Sequence, residues 1–219
     1  MTDSATRAEM LDVLDDMGRI IGTKSRADVH RDGDWHRVFH CQVIAIRDSK
    51  EVVVLQRRSH LKAAFPRMFD ISAAGHLAAG EEPAEGVREL EEELGFTAAP
   101  NNLVPLGTRR LVDDNGEGHL NREITSVFLL RDDRPLADYV LQRTEVDAVF
   151  DAQIDEFLEL LAGTVESMQI KGVRHAGSSD AQDIVEQVSL KDLVPGFEYW
   201  KTLMIMSQRF ARKQLPLSI

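Results

Sequence analysis

One stretch constrains this chain more than any other: residues 73–96 read AAGHLAAGEEPAEGVRELEEELGF and contain seven glutamates. Pro83 suits a first helical turn and Gly95 suits the position after a last one, so the stretch predicts a short helix. At roughly 100° per residue, the aliphatic and acidic side chains fall on opposite sides of that helix. The aliphatic side holds Val87, Leu90 and Leu94, and the acidic side holds Glu85, Glu89, Glu92 and Glu93.

The acidic side of this helix has two interpretations. Charged stripes on exposed faces are common, so a solvated face is one of them. Like charges four residues apart, however, destabilise a helix by about 0.2–0.5 kcal/mol per pair, and only Arg88 is near enough to offset them. A glycine-containing loop, SAAGHLAAGE, precedes the helix and can present backbone carbonyls to the same side. Carboxylates with a backbone oxygen predict a Mg²⁺ or Mn²⁺ site.

Composition limits the kind of protein that surrounds this site. The 219 residues suffice for one sizeable domain with a buried core, and 43% hydrophobic with 29% charged residues is ordinary for a globular chain. A net charge of −11 argues against nucleic acid or an anionic membrane as partner. The chain has no apolar run of about 18 residues, no signal-peptide pattern and a single cysteine, Cys41. We therefore expect a cytoplasmic protein without a disulfide.

Hydrophobic patterns along the chain predict a mixed α/β protein in which strands outnumber long helices. Residues 10–26 predict a β-hairpin, and residues 1–8 predict a flexible N-terminus. Further strand pairs are expected at 35–47 with 51–58, at 103–112 with 123–130, and at 166–173 with 183–190. Helices are expected at 152–163, ending at Gly163, and at 197–215, where Trp200, Leu203, Met204 and Ser207 share one face.

The glutamate stretch resembles the Nudix box, a glycine followed by a glutamate and then by Arg-Glu-aliphatic-x-Glu-Glu-x-Gly-aliphatic. The box spans residues 75–96, and the matching positions are Gly75, Glu81, Arg88, Glu89, Leu90, Glu92, Glu93, Gly95 and Phe96. The spacing departs from the family at one point. Six residues, EPAEGV, separate Glu81 from Arg88, where the family usually has seven. This departure concerns the loop and Glu81 and leaves the register from Arg88 to Gly95 unchanged.

The resemblance implies a Nudix α/β/α sandwich with a mixed β-sheet, an N-terminal β-hairpin and a C-terminal helical extension. It divides the chain into a Nudix domain at 9–163 and an extension at 164–219 packed on the same domain. It also implies metal-dependent cleavage of a diphosphate linkage in a nucleoside-diphosphate-type or other small organic diphosphate. Glu89, Glu92 and Glu93 would bind Mg²⁺ or Mn²⁺ with a carbonyl of Ala74 or Gly75. Arg88 would orient these glutamates, with Glu92 or Glu93 as catalytic base. Dimers are common among such proteins, so a homodimer is possible.

The flanking sequences are similar to isopentenyl-diphosphate isomerase, a Nudix relative, and more closely to isomerase-like Nudix hydrolases. His30, His36 and His76 match the histidines of the isomerase metal site, and Glu123 matches one of its glutamates. The isomerase cysteine is replaced by Ala74 and its other glutamate by Asn121. Because alanine carries no titratable proton, the resemblance favours hydrolysis over isomerisation. Cys41, on a predicted strand, is expected to be a small buried residue.

Several roles stay open on the sequence alone. The histidines, including the nearby His40, are expected either as polar residues at a strand edge or as a second metal or phosphate site. Glu123 is an additional candidate metal ligand. The nearest basic cluster comprises Arg57, Arg58 and Lys62, which either holds substrate phosphate or forms a solvated loop. A domain that binds diphosphates without catalysis is the third alternative.

Overall fold

The computed structural model describes residues 9–114 and 120–219, with only the backbone described at Asp114. The first half of the chain forms strands β1 (Met10–Leu14), β2 (Ile20–Ser25), β3 (Trp35–Arg47), β4 (Lys50–Arg58), β5 (Phe69–Asp70) and β6 (Ala73–His76), with helices α1 (Arg26–Asp32) and α2 (Arg88–Leu94). The second half forms β7 (Val104–Asp114), β8 (Leu120–Arg131), β9 (Val146–Gln153), α3 (Ile154–Leu161), β10 (Met168–Arg174), β11 (Gln182–Val188) and α4 (Phe197–Ala211). Short 3-10 turns lie at Pro83–Val87, Pro100–Asn102, Leu136–Asp138 and Leu190–Asp192.

The sheet is mixed, as predicted, with β3 at its centre. β3 pairs in parallel with β8 and antiparallel with β4 and β6. On one side β4 continues into β9, β10 and β11, and on the other β8 continues into β7. Long strands such as β3 have several partners because different segments of one edge pair with different neighbours.

Two layers of helices cover the sheet because side chains alternate between its faces. Phe39, Cys41 and Val43 of β3 contact one core cluster, which includes Leu90 and Leu94 of α2. Ile44 contacts the other cluster, which includes Phe157 of α3 and Trp200 of α4. Neighbouring strands repeat this alternation: on β8, Phe128 belongs to the first cluster and Val127 to the other. The α/β/α sandwich predicted from the sequence is confirmed.

The predicted hairpins are also confirmed. β1 pairs with β2, β3 with β4, β7 with β8, and β10 with β11, all antiparallel. The second core cluster combines residues on both sides of position 163, including Val53, Met168 and Leu203. The domain boundaries at 9–163 and 164–219 stay predictions, and the expectation of a flexible segment at 1–8 lies outside the described residues.

Three details differ from the sequence expectations. The glutamate helix begins as a 3-10 turn at Pro83–Val87, and its α-helical part begins only at Arg88. The last helix ends at Ala211 instead of residue 215. Finally, α1, β5, β6 and β9 were not predicted, because they are short or, in β9, because Asp147 and Asp151 interrupt the apolar pattern. Within the described ranges, no helix combines the length and apolar character needed to cross a bilayer.

The 3-10 turn explains how the shorter box is accommodated. A 3-10 helix rises about 2.0 Å per residue against 1.5 Å for an α-helix, so five residues advance as far as six or seven α-helical ones. Glu82 and Glu85 form a reciprocal capping box at its start, which satisfies backbone N–H groups there. Glu85 is therefore used in capping, and α2 ends at Gly95, whose φ of 73° is left-handed.

Candidate functional site

A cleft of about 1910 Å³ opens where β3, β6, β7 and β8 meet α1, α2 and the loop before α4. Most of the predicted site residues line it: Gly75, Arg88, Glu89, Glu92, Glu93, Glu123, His30, His76, Arg58 and Lys62. The cleft exceeds the volume of a usual small-molecule pocket, roughly 300–1,000 Å³, so it has room for an extended ligand.

Arg88 links the acidic side chains of this cleft. Its Nε donates to Glu81 Oε1 at 2.7 Å, and its Nη1 donates to Glu89 Oε1 at 2.6 Å and to Glu92 Oε2 at 2.9 Å. Its Nη2 reaches the carbonyl of His76 at 2.8 Å. Burial works against the charge of Arg88, but the three carboxylates raise its pKa above the usual range. The guanidinium therefore stays charged and orients all three glutamates, and Glu81 keeps this contact despite the shorter spacing.

Gly75 is required where it lies because Glu89 approaches it directly. A Cβ added to Gly75 would lie 2.0 Å from the carboxyl carbon of Glu89 and 2.1 Å from its Oε1. Distances this short exclude any other residue unless Glu89 moves. The glycine thus lets a buried carboxylate lie against the backbone of β6, where a carbonyl is available as a further oxygen ligand.

Two of the glutamates are buried and hold protons more tightly than usual. Glu93 Oε2 accepts from Gln56 Nε2 at 3.1 Å and from the Ala74 N–H at 3.2 Å. Burial, reinforced by Glu89, raises the pKa of Glu93 to about 8. Burial also raises the pKa of Glu89 to about 7, with Arg88 opposing the shift. A cation between these carboxylates would offset the burial penalty, whereas Glu92, with 57% of its side chain exposed, needs no such compensation.

His30, His36 and His76 meet in the same cleft, although they come from α1, β3 and the end of β6. Their ring centroids are 4.9–5.2 Å apart, and the Nε2 atoms of His30 and His76 lie 3.2 Å apart. One candidate ligand nitrogen from each lies within 4.8 Å of the others. Among the described residues, this is the one group of three or more ligand-type side chains that comes so close together.

Burial favours the neutral form of two of these histidines, His36 and His76. His36 Nδ1 lies 3.0 Å from the carbonyl of Asp34, and since a carbonyl only accepts, Nδ1 carries the proton. Nε2 then holds a lone pair, and this buried atom has no hydrogen-bond partner among the described residues. Burial lowers the pKa of His36, although Glu123 opposes the shift. Burial lowers the pKa of His76 further, and the nearby Arg26 adds to the effect.

These observations test whether a divalent metal fits. A histidine that donates Nδ1–H to a carbonyl and turns Nε2 inward has the usual arrangement of a metal ligand. Imidazole nitrogens bind such an ion at about 2.1 Å, and the three rings are close enough together to be candidate ligands of one ion. Glu123 lies beside His36 in the β3–β8 ladder and accepts a 2.6 Å hydrogen bond from Asn121. Its carboxylate is therefore a candidate fourth ligand for a metal at the histidines. The donor sets fit: oxygens of the glutamates suit Mg²⁺ or Mn²⁺, and imidazoles suit transition metals.

The predicted basic cluster is divided by the structure. Arg58 and Lys62 line the cleft, where Arg58 pairs with Asp70 at 2.8 Å and Lys62 pairs with Glu145. Arg57 does not line it, because neighbouring strand residues point to opposite faces. The Arg57 guanidinium pairs with Asp147 and with Glu186 and lies over the Phe150 ring. Of the three residues, the structure thus brings Arg58 and Lys62 into the cleft and not Arg57, and their role in binding phosphate stays a prediction.

Cys41 lies on the α2 face of β3, in the core cluster with Phe39 and Leu90. Burial raises the pKa of its thiol far above the usual range, so Cys41 is unreactive at neutral pH. Directly before the box glycine, Ala74 occupies the position where the isomerase resemblance requires a cysteine. The described site thus has no thiol for acid–base work.

Several residues that lie in the cleft or contact its lining are not identifiable from local sequence as parts of one site. Gln56, which bonds Glu93, lies within a predicted strand, and a buried amide in an apolar run is a usable signal of a hydrogen-bonding role. Arg109 and Tyr199 gave no signal, since nothing local distinguishes them from surface residues. His40 lies close in sequence to His30 and His36, so its position along the chain does not distinguish it from them. Arg109, Tyr199 and His40 meet at the far end of the cleft only through tertiary structure.

Residues 36–168 match the sequence model of the NUDIX domain. The chain is 34% identical over 197 residues to an uncharacterized Nudix hydrolase of Clostridium acetobutylicum, covering 90% of this chain and 95% of that one. It is 34% identical over 160 residues to Nudix hydrolase 3 of Arabidopsis thaliana, covering 70% of this chain but 20% of the plant protein. It is also 34% identical to an isopentenyl-diphosphate Delta-isomerase of Saccharopolyspora erythraea, over 72% of this chain and 79% of the isomerase.

Among solved structures, a Deinococcus radiodurans protein superimposes with a TM-score of 0.52 at 21% identity. The match covers 71% of this chain and 90% of that chain. An Enterococcus faecalis MutT/nudix family protein superimposes with a TM-score of 0.50 at 14% identity, covering 80% of this chain and 62% of the other. At these identities, the similarity supports the fold alone.

Proposed function

The chain belongs to the Nudix hydrolase family, in the branch that includes isopentenyl-diphosphate isomerase, and from this premise we propose a metal-dependent diphosphate hydrolase. The proposed substrate is a nucleoside-diphosphate-type or other organic diphosphate, and the proposed cofactor is Mg²⁺ or Mn²⁺. The observation that carries this proposal is the set of carboxylates Glu89, Glu92 and Glu93, oriented by Arg88 against the backbone at Gly75. A cytoplasmic location, a homodimer and the absence of nucleic-acid partners stay expectations.

Each side chain has a distinct role in this proposal. Glu89 and Glu93, with a backbone carbonyl at Gly75, would hold the cation, and Glu123 would supply a further carboxylate. A divalent cation bound there neutralises the diphosphate and acidifies a water. Arg88 keeps the carboxylates in position through its contacts to Glu81, Glu89 and Glu92.

The reaction itself is a hydrolysis at phosphorus. Glu92, which is exposed to the cleft, accepts a proton from the attacking water while the water oxygen bonds to phosphorus. The bond from that phosphorus to the bridging oxygen breaks, and the bridging oxygen leaves with the second phosphate. Arg58 and Lys62 contact the non-bridging oxygens of the diphosphate, where charge-assisted donors are most effective.

The test is a substrate panel with matched variants. Nucleotides, nucleotide sugars, dinucleoside polyphosphates and isoprenoid diphosphates are incubated with Mg²⁺ or Mn²⁺, and ³¹P NMR identifies the products. Glu92→Gln and Glu93→Gln are each expected to lower kcat on the best substrate by about 10²–10⁴-fold. Glu91→Gln is the control, because Glu91 lies on the same helix but does not line the cleft. Unchanged hydrolysis in both cleft variants would overturn the mechanism.

Isomerisation of isopentenyl diphosphate is a second candidate, favoured by the histidine group with Glu123 and by relatives named as isomerases. Ala74 argues against it, since the chemistry at C=C needs a proton donor on that side. Metal-loaded protein in heavy water is expected to introduce no deuterium into isopentenyl diphosphate. Deuterium uptake at rates proportional to enzyme would establish the isomerase instead. Thermal stabilisation by diphosphates without any turnover would indicate a binding domain.

A further inference from the structure

The far end of the cleft contains a second charged site, away from the glutamates. Arg109 of β7, His40 of β3 and Tyr199 of α4 all come together here, beside the loop formed by residues 194–196. The Arg109 guanidinium lies over the Tyr199 ring at 4.2 Å from its centroid. The Tyr199 hydroxyl lies 2.8 Å from His40 Nδ1. The first turn of α4, which follows the loop at 194–196 and carries Tyr199, thus lies at this end of the cleft.

The other cationic side chains of the cleft each form an ion pair with a carboxylate, and Arg109 has no such partner among the described residues. Arg26 pairs with Glu9, Arg58 with Asp70, and Lys62 with Glu145. Arg31 and Arg88 likewise pair with acidic residues. Over residues 9–114 and 120–219, no acidic side chain lies within ion-pair distance of Arg109, and none of its donors bonds a described residue. Its charge and its planar set of N–H groups are therefore available to a ligand.

The surroundings hold this guanidinium in one orientation. Stacking on Tyr199 restrains its plane, and the contact with His40 restrains the Tyr199 ring in turn. Burial, reinforced by Arg109 and Arg58, lowers the pKa of His40 to about 3, so His40 is neutral and does not compete for an anion. Arg58 acts on His40, and Asp70 and Glu123 act on Tyr199, with Arg58 and Asp70 paired to each other. Asp113, also on β7, lines the same cleft.

The strand register separates Arg109 from the proposed metal site. Arg109 pairs with Thr125, Thr125 with Val38, and Val38 with His76. Three strand spacings of about 4.8 Å place the two backbones about 14 Å apart. Because this separation is longer than a diphosphate group, we expect Arg109 to meet the organic part of a substrate whose diphosphate is bound at the glutamates.

We infer that Arg109, stacked on Tyr199, binds a second anionic group carried by the organic part of the substrate. This inference rests on the proposed function and narrows it to organic diphosphates that bear a further phosphate monoester or a carboxylate. Both groups present two oxygens in the geometry that a guanidinium receives through parallel N–H donors. The protein carries a net charge of −11 and therefore repels anions at long range. An anionic group of the substrate thus needs a local cation such as Arg109 to bind.

The first experiment measures the anion site without turnover. Inorganic phosphate is titrated into the full-length protein in EDTA, and arginine Nε–H resonances are followed by NMR, with Arg109→Gln identifying the Arg109 signal. We expect that signal to shift with phosphate, and the phosphate Kd to weaken at least about tenfold in Arg109→Gln. Arg109→Lys, which keeps the charge, is expected to fall between. A Kd in Arg109→Gln within twofold of wild type would overturn the inference.

Arg110→Gln provides the matched control. Arg110 is the next residue on β7, loses the same charge, and points away from the cleft, donating to the Asp16 carbonyl and lying over Trp35. Its phosphate Kd is expected to equal that of wild type. A tenfold loss in Arg110→Gln as well would show that net charge, and not the Arg109 site, determines binding, and would also overturn the inference.

The second experiment distinguishes the sources of the anion. Values of kcat/KM are compared for NADPH against NADH, which differ by one phosphate monoester, and for UDP-glucuronate against UDP-glucose, which differ by a carboxylate. Arg109→Gln is expected to abolish the preference for the more anionic member of one pair. Equal preferences in wild type and Arg109→Gln would count against the inference. Absence of hydrolysis across the whole substrate panel of the proposed function would refute that function, while the phosphate titration still decides the anion site.

Discussion

Two candidate metal-binding regions share one cleft but are built in opposite ways. The carboxylate group, Glu89, Glu92 and Glu93, comes from a single seven-residue helix and is organised by Arg88. The histidine group, His30, His36 and His76, comes from three separate elements. Burial raises the pKa of the glutamates Glu89 and Glu93 but lowers the pKa of His36 and His76. The same desolvation therefore favours protonated glutamates and unprotonated histidines.

Because of this difference, the two regions of the cleft favour different cations. A region of buried carboxylates needs a positive charge to be ionised at neutral pH, whereas neutral imidazoles are ready to bind a metal without any proton release. Hard oxygen ligands suit Mg²⁺, and nitrogen ligands suit transition metals. Four experiments, from the largest expected effect to the smallest, test whether the two regions act separately.

Gly75→Ala is expected to disrupt the carboxylate group most strongly. Its new Cβ would overlap the Glu89 carboxylate, so Glu89 must move by an ångström or more. Displacements of this size cost about 100-fold in rate, and we expect kcat to fall at least that much. Gly22→Ala is the control, because its Cβ would meet nothing within 4 Å. Wild-type kcat in Gly75→Ala would show that Glu89 does not need this position.

His36→Asn is expected to remove metal from the histidine group only. It removes the imidazole whose Nε2 faces the cluster, and losing one of three ligands should weaken Mn²⁺ binding there about 10–100-fold or more. Electron paramagnetic resonance of Mn²⁺ titrations should show one tight site fewer, while Mg²⁺-dependent hydrolysis continues. The same number of tight sites in wild type and variant would contradict a histidine metal site.

The metal-free protein is expected to lose stability as pH rises from 6 to 9. The folded-state pKa values of Glu89 and Glu93, about 7 and 8, exceed the unfolded value of 4.5. The stabilisation is therefore complete below about pH 4.5 and is lost as the pH passes through 7–8. In EDTA, differential scanning calorimetry should show Tm falling by about 5 °C over this range.

Glu93→Gln supplies the control for this pH dependence, because glutamine stays neutral at every pH while keeping an oxygen acceptor for Gln56 and Ala74. Its Tm should decline less above pH 7, and saturating Mg²⁺ should flatten the wild-type profile. His36 and His76 have the opposite pH dependence, because their pKa values are lowered in the folded protein. Their contribution to stability is complete above about pH 6.5, the unfolded-state pKa, and is lost as the pH falls. A wild-type Tm in EDTA that is flat from pH 6 to 9 would contradict the buried-carboxylate account.

Glu81→Gln is expected to have the smallest effect. It weakens two of the contacts that hold Arg88, from Nε at 2.7 Å and Nη2 at 3.1 Å, but keeps an oxygen acceptor. We expect kcat to fall about three- to tenfold, since Arg88 still bonds Glu89 and Glu92. Mn²⁺ binding at the histidine group should not change. A loss as large as that of Gly75→Ala would mean that Glu81 itself binds the metal.

Much of the fold follows from local pattern. The β1–β2 and β10–β11 hairpins were predicted from alternating apolar residues and turn signals, and the buried face of α4 from its helical spacing. Short elements were missed, since a seven-residue helix such as α1 and a four-residue strand such as β6 give little periodicity. Ser25, which caps α1, and Gly33, which ends it, were the signals available for α1.

The two regions of the cleft differ in how far local sequence specifies them. By itself, the sequence determined the carboxylate group and its arginine, because residues three and four apart on one helix must share a face. Only the tertiary structure brings the three histidines together and places Arg58, but not Arg57, in the cleft. It also brings Arg109 onto the ring of Tyr199, some 90 residues further along the chain. The physical reason is that long-range contacts depend on strand order and register, which no local spacing encodes.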